Sequence, residues 1–581
     1  MLAALLLLLT TGARLVSAQG PDVIVIGAGA GGLAAALEAA MGGARVTVLD
    51  MASVFGGHAI VSEGGLSFAG TPLQKTSGVV DAPDQMFDDI VRYGEDANQA
   101  WARVFAERGV PEIHDWLVSL GVTFTSLQRL PGNTVPRFHE NPRKGFGVVE
   151  PLYRKALETG AVTFEWNVRV TRLIVEAGRV VGVEGQHERS GATIVRRAPS
   201  VVLATGGFQS NLDLVKANWP REAALPSRIL LGAGVNALGS GLGLASAAGA
   251  GTTRLDHQWN YPRGIIDPRY PDDGRGLNVI FATRFPQVNA RAERIWVEKV
   301  KDMLAQPEAR AVLIFDAAGR ADFRVSGSDW ADRAKVETLL ENPLVAQQAS
   351  SLEELARKVR LPADLARTVS RWNALVATGE DTELGLFSRA KGTWASPTGV
   401  EPRPVVTPPF HAVELWPLTR KSMGGVAIDM EARALDGMGR PIPGLYAVGE
   451  VAGFGGLNGQ ASIEGAFIAP AMLQGRIAGR AVALALGRSP LPRPVDDAPR
   501  AVAPGPAAQC AACHDVEAQV ATPRKGYWHF ERVHRIVKER VIACVQCHAD
   551  MSPYRPTAHR INRVAQIDSC RHCHLPSSQS R

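Results

Sequence analysis

No run of the chain approaches the roughly 20 consecutive apolar residues that a membrane-spanning helix needs, so no part of it is expected to cross a bilayer. A charge excess suited to nucleic acid is missing too. The net charge is +6 over 581 residues, and residues 501–581 carry most of it, with 11 Arg/Lys against 6 Asp/Glu. That pattern excludes a nucleic-acid footprint. A second G-x-G-x-x-G fingerprint is also absent, which speaks against a nicotinamide site; Gly239-Ser-Gly241 follows no strand. Cysteine is missing from the first 509 residues, and all six copies stand in the tail.

Those six cysteines form one pattern three times: Cys510-Ala-Ala-Cys513-His514, Cys544-Val-Gln-Cys547-His548 and Cys570-Arg-His-Cys573-His574. C-x-x-C-H is the c-type haem attachment signature. Two thiols two residues apart add to the vinyl groups of one haem, and the adjacent histidine reaches the iron. Zinc sites pair two such motifs or combine one with a distant histidine pair, and three would leave one over. Three c-type haems are therefore expected, with six propionates to offset the basic tail. For the sixth ligands the tail offers His529, His534 and His559, with His572 inside its own attachment loop and Met551 as an outsider.

The length calls for two or three domains. Residues 1–18 have a short Leu-rich run and small residues before Gln19, the pattern of a signal peptide without a basic start. Export to the periplasm as a soluble protein follows, in agreement with c-type haem. Next, Asp22-Val-Ile-Val-Ile leads into Gly27-Ala-Gly29-Ala-Gly31-Gly32, a helical stretch follows, and a second strand ends at Asp50. Strand, G-x-G-x-x-G, helix, strand and acid are the parts of a dinucleotide site. Gly27, Gly29 and Gly32 let the pyrophosphate approach the helix N-terminus, and Asp50 is placed to accept ribose hydroxyls. One dinucleotide beside three haems fits FAD.

From Gly57-His58 through Glu63-Gly64-Gly65 the chain resembles the fumarate reductase/succinate dehydrogenase flavoprotein family (FAD-binding domain 2). Val202-Leu-Ala-Thr205-Gly206-Gly207 and Pro443-Gly-Leu-Tyr-Ala-Val-Gly449-Glu450 extend the likeness, as does Ser462-Ile463, over about residues 20–490. Gly132-Asn-Thr-Val-Pro-Arg137-Phe-His139 and Gly453-Phe-Gly-Gly456 are more similar to a subgroup related to 3-ketosteroid dehydrogenases. A flavin domain joined to a multihaem domain resembles the soluble flavocytochrome c fumarate reductases, with the module order reversed. The resemblance implies an α/β fold: a Rossmann-like FAD-binding domain with an inserted α+β capping domain, followed by a small, mostly irregular or helical multihaem domain. The expected boundaries are 19–251 and 406–485 for the FAD domain, 252–405 for the cap, 486–508 for a Pro/Ala-rich linker and 509–581 for the haems. His58 stands where succinate dehydrogenases bond the flavin covalently; covalent linkage and simple packing both remain open.

The resemblance also implies roles in the cap. Arg320 matches the family's proton-donating arginine, Glu298 an acid on its proton path, and His257 a substrate-contacting histidine; for Arg320 a solvated loop position is the alternative, and for His257 a core position. The family's carboxylate-binding histidine before Met423-Gly424-Gly425 is replaced by Arg420-Lys421-Ser422, and its second clamping arginine has no counterpart in Asn458–Gly465. Lys421 and Arg420 are expected to compensate for one of the two, which suits a monocarboxylate or another polarised alkene. An arginine fork is the group best shaped for a carboxylate, so fumarate itself is disfavoured. The expectation is a periplasmic oxidoreductase that exchanges electrons with a cytochrome or quinol dehydrogenase partner and reduces an activated C=C bond of a small-molecule alkene. The reverse dehydrogenation of an alkane and a non-catalytic electron carrier stand as alternatives.

Overall fold

The computed structural model describes residues 20–488, apart from 281, 328–329, 331 and 388–401. The signal peptide, most of the linker and the whole tri-haem segment lie outside the described residues, and with them every haem-ligand expectation.

The first strand, Val23–Ile26, is apolar at every position and almost completely buried. A strand covered on both faces belongs at the centre of a parallel sheet, and there it sits. The sheet order is Arg433–Leu435, Pro441–Ala447, Ser200–Leu203, Val23–Ile26, Val46–Asp50, Val162–Trp166, parallel throughout except the first. An antiparallel sheet of Val168–Glu176, Arg179–His187 and Thr193–Arg197 lies beside it. The helices Ala30–Met41 and Ile468–Ala485 pack backbone to backbone. A side-chain carbon at Gly475 would fall 2.3 Å from the Gly31 carbonyl, and one at Gly479 2.7 Å from that of Ala35. Only small residues allow this approach, which locks the last helix of the flavin domain onto the first.

The cap is built on a second, largely antiparallel sheet: Arg294–Ile295, Gln287–Val288, Ala311–Phe315, Phe410–Ser422, Gln258–Ile266, Gly276–Ile280, Arg324–Val325. Helices Leu352–Lys358 and Leu365–Thr378 cover part of it around the fully buried Trp372. The boundary expected at 405 falls later. Phe410–Ser422 pairs with Ala311–Phe315 at one end and with Gln258–Ile266 at the other, so it belongs to the cap sheet. Beyond it Gly425–Val426 pairs with Thr252–Thr253, and the two crossings between domains lie side by side. The thirteen-residue strand runs from the outer cap to the flavin domain, roughly 40 Å at ~3.3 Å per residue. It acts as a ruler for everything below.

Candidate active site at the domain interface

The nucleotide cradle uses backbone rather than side chains. Gly27 has φ 107°, and a side-chain carbon at Gly32 would fall 1.9 Å from the Gly27 carbonyl oxygen, so the turn closes only with glycine at both positions. A carbon at Gly29 meets nothing within 4 Å. The space in front of the helix N-terminus is open, as a pyrophosphate requires. Asp50 accepts from Ala28 N at 2.6 Å and Ala52 N at 2.7 Å. Burial raises its pKa to about 6 against the opposing pull of those two bonds.

The other expected cofactor residues gather around the same space. Gly57 lies against Gly29, next to the bridge between Gly29 and Gly56. Gly64 and Gly65 admit the backbone at Lys144–Gly145 and the ring of Phe138. Thr205 has a buried hydroxyl with no partner among the described residues, and Gly206 faces open space. Gly449 N donates to Gln474 Oε1 at 2.9 Å. Ser462 is tied into its own loop through Asn458 and the Ile463 carbonyl, and Ile463 is buried. A glycine-lined cradle facing open space fits FAD.

The end of the long strand delivers the first reactive group. Lys421 Nζ donates to His58 Nδ1 at 3.2 Å and lies 3.6 Å from Glu450 Oε2, while Glu450 Oε1 accepts from Ser422 N at 3.0 Å. Burial lowers the Lys421 pKa, against the opposing charge of Glu450. The ammonium beside it, with burial, holds His58 well below its usual pKa, so the imidazole is neutral.

Next to this stands a cluster of which the motifs announced only Glu298 and Arg420. Tyr261 OH donates to Glu464 Oε1 at 3.2 Å, and the Arg420 guanidinium covers the Tyr261 ring at 5.0 Å. Burial raises the pKa of Glu464, outweighing the nearby Arg420 and Lys421; burial and Glu464 together raise that of Tyr261. Tyr93 OH donates to Glu298 Oε1 at 3.3 Å. Arg263, only 5% exposed, donates to the Val297 carbonyl at 3.0 Å, and burial lowers its pKa to about 10 against Glu298 and Tyr93. The members come from five stretches: helix Pro83–Gly94, strand Gln258–Ile266, the loop before Val300, the long strand Phe410–Ser422 with Arg420, and the segment around Glu464.

The expected catalytic set is thereby divided. Lys421 lies at this interface, and Glu298 reaches it through Tyr93. His257 lies at its rim, held between Asp256 and Asp96 at 3.0 Å each. Arg320 does not reach it. That residue follows Ala311–Phe315, whose Phe315 pairs with His411, ten residues along the ruler from Lys421, roughly 30 Å. Its guanidinium binds Glu337 and lies 3.5 Å from Glu341, so the expected hand-over from Glu298 to Arg320 has no path. Arg294, in the same stretch as Glu298, is bound by Asp381 and Glu383. The Gly132–His139 stretch is a strut: Arg137, fully buried, joins Asp81 at 2.7 Å and Asp89 at 2.6 Å. Tyr93, Tyr261, Arg263 and Glu464 were missed because they come from three separate stretches, and only Tyr261 and Arg263 share a strand, so no spacing signal joins them.

Comparison with known proteins agrees with the cradle. The family model described as FAD binding domain matches residues 22–467. A KsdD-like steroid dehydrogenase of Mycobacterium tuberculosis is 30% identical over 80% of this chain and 95% of its own. A probable fumarate reductase of Shewanella frigidimarina is 31% identical over 80% of this chain and 75% of its own. The solved open conformation of a flavocytochrome c3 fumarate reductase superposes with a TM-score of 0.62 at 29% identity, over 80% of this chain and 78% of that one.

Proposed function

The chain belongs to the FAD binding domain family and is an FAD-dependent oxidoreductase acting on carbon–carbon bonds; from that premise we propose that it reduces an activated C=C bond. We assign the electron supply to c-type haems on Cys510–His514, Cys544–His548 and Cys570–His574. Bound FAD supplies the hydride chemistry. The protein's part is to hold the alkene at the domain interface, polarise it and deliver a proton. The half-buried, hydrogen-bonded Tyr261–Glu464 pair at the domain interface carries this reading. Burial raises the pKa of both groups, which favours the protonated form that a donor needs. Lys421 and Arg420 beside them supply positive charge for the oxygen of a carbonyl conjugated to the alkene. Glu464 thus takes the part expected of Arg320.

The steroid dehydrogenase relative favours a second direction, in which the same groups accept a proton and the haems carry electrons away. Anaerobic assays separate the two. Reoxidation of reduced viologen by enones or alkenoates supports reduction; bleaching of an oxidised dye by saturated ketones reverses the direction, and silence in both leaves an electron carrier. The haem assignment rests on sequence, with export and an exported cytochrome or quinol dehydrogenase as electron partner. Three haems per chain that stay with the polypeptide through acid–acetone extraction support it, and their release rejects it. Release of all flavin from digested protein as free FAD rejects the His58 link.

A further inference from the structure

Helix Pro83–Gly94 of the flavin domain ends in a turn that residues other than glycine rarely adopt. Glu95 stands at φ 68° and ψ −70°, and Asp96 N donates to the Gly94 carbonyl at 2.9 Å. A three-residue turn of this hand is rare and strained. Its backbone is bolted to the flavin domain. The Gly94 carbonyl also accepts from Gln460 N at 2.7 Å, and a side-chain carbon at Gly94 would fall 2.5 Å from the Asn458 carbonyl oxygen.

The two acids of the turn reach the cap instead. Glu95 binds Lys299 at 3.1 Å and also Lys301, where cap helix Val300–Leu304 begins. Lys299 donates to the Tyr93 carbonyl at 2.9 Å as well, and its ammonium lies 3.9 Å from the centre of the Tyr93 ring, within cation–π range. The residue before it, Glu298, is the partner of the Tyr93 hydroxyl. Asp96 takes His257 at 3.0 Å and Arg254 at 3.4 Å.

These two grips stand differently towards the hinge. The chain enters and leaves the cap at Thr252–Thr253 and Gly425–Val426, which pair with one another. Arg254, at φ 54°, is the next residue along, so Asp96 holds the root of the cap. A rotation about the paired crossings that opens the cap leaves this grip nearly in place, but it draws Lys299 and Lys301 away from Glu95 and Glu298 away from Tyr93. Glu95, Lys299 and Lys301 all line a cavity of about 230 Å³. Charged side chains across a gap make the contact here.

Two opposing effects set its strength. The side chains of Glu95 and Lys301 are 38% and 57% exposed, and ion pairs as exposed as these are weak and screened by salt. The strain of the turn works against them. Burial pushes the Glu95 carboxyl up, but its bonds to Lys301 and Lys299 outweigh that and hold it below the usual carboxylate range. The acid stays charged.

We propose that Glu95 is a positioning residue, the catch of a spring-loaded latch: its strained turn, fixed to the flavin domain, holds the cap segment Glu298–Lys301 closed through two lysines and relaxes when the cap opens. Closure sets the Tyr93–Glu298 contact, and release exposes that end of the interface to solvent.

Hydrogen exchange of the full-chain holoprotein, read by mass spectrometry on peptides spanning residues 298–304, tests this without turnover. Glu95→Gln keeps the strained turn and loses the charge, so exchange there should quicken roughly fivefold or more. The parent protein should approach the variant as salt rises from about 0.01 M to about 1 M, where the screening length falls from about 30 Å to about 3 Å, and the variant should not respond. Glu95→Gly loses both charge and strain, so it should open less than Glu95→Gln. Exchange in Val23–Ile26 should be the same in all. Unchanged exchange in Glu95→Gln, a parent that ignores salt, or a parallel rise in Val23–Ile26 overturns the latch. Glu95→Gly opening as far as Glu95→Gln overturns the spring.

Discussion

The nucleotide cradle and the cap interface solve opposite problems a short distance apart. The cradle makes room: Gly27, Gly29 and Gly32 withdraw side chains so that backbone N–H groups face an open space, and its one buried acid, Asp50, is held by two backbone donors. The interface fills room with ionisable side chains, Lys421, Glu464, Tyr261 and Tyr93, largely taken out of water and paired across two domains, with the buried Arg263 beside them. Backbone donors cost nothing to desolvate beyond what the turn has already arranged. Buried charges are tolerated only where each meets its counterpart. The cradle therefore tolerates no added volume, while the interface tolerates no lost partner.

Gly32→Leu tests the first half and should have the largest effect. With the first added carbon 1.9 Å from the Gly27 carbonyl oxygen, purified protein should retain under a tenth of the flavin, read from its visible absorbance relative to protein. Normal flavin content would break the contrast at once. On the other side, Glu464→Gln keeps the volume and removes the acid. We expect a hundredfold or greater loss of turnover with flavin content unchanged. In the parent protein, turnover should fall as pH rises through the raised pKa of Glu464, where the donor loses its proton, and that limb should vanish in the variant.

A smaller effect is expected in stability. The folded Asp50 holds its proton up to about pH 6 against an ordinary 3.8, so the folded state binds more protons than the unfolded one between these values. FAD-free protein should lose on the order of 1–3 kcal/mol as pH rises across that window, by denaturant melts, and Asp50→Asn should flatten the slope. The smallest effect belongs to Arg320→Gln. Because that guanidinium is bound by Glu337 far from the cradle, turnover should change less than threefold. A large loss at full flavin content would return Arg320 to the chemistry and displace Glu464.

The parts legible beforehand are those in which neighbours in sequence are neighbours in space. The strand, glycine turn, helix and Asp50 form one continuous unit, and Gly57–Gly65 packs directly on it, so their spacing carried the geometry. Lys421 was legible as a departure at a fixed distance from Met423-Gly424-Gly425. Arg320 misled for the same reason: its local segment, Leu313 to Arg320, matches the expected pattern, but local pattern says nothing about how far along a thirteen-residue strand that segment is pinned. The pairing of Phe315 with His411 rather than with a residue near Lys421 decided it.

The sequence by itself determined the chemistry available: a single dinucleotide cradle, the C-x-x-C-H tail, the lack of a second nucleotide fingerprint, and the loss of the carboxylate clamps. Those are composition and short-range spacing, and the backbone reads them out within one turn. Only the tertiary structure decided which side chains gather at the domain interface. Strand register in the cap sheet and closure of cap on flavin domain bring Tyr93, Tyr261, Arg263 and Glu464 together across 371 positions of chain. Contacts so distant are set by which buried charges can satisfy one another once two sheets have packed, a condition no local stretch of residues contains.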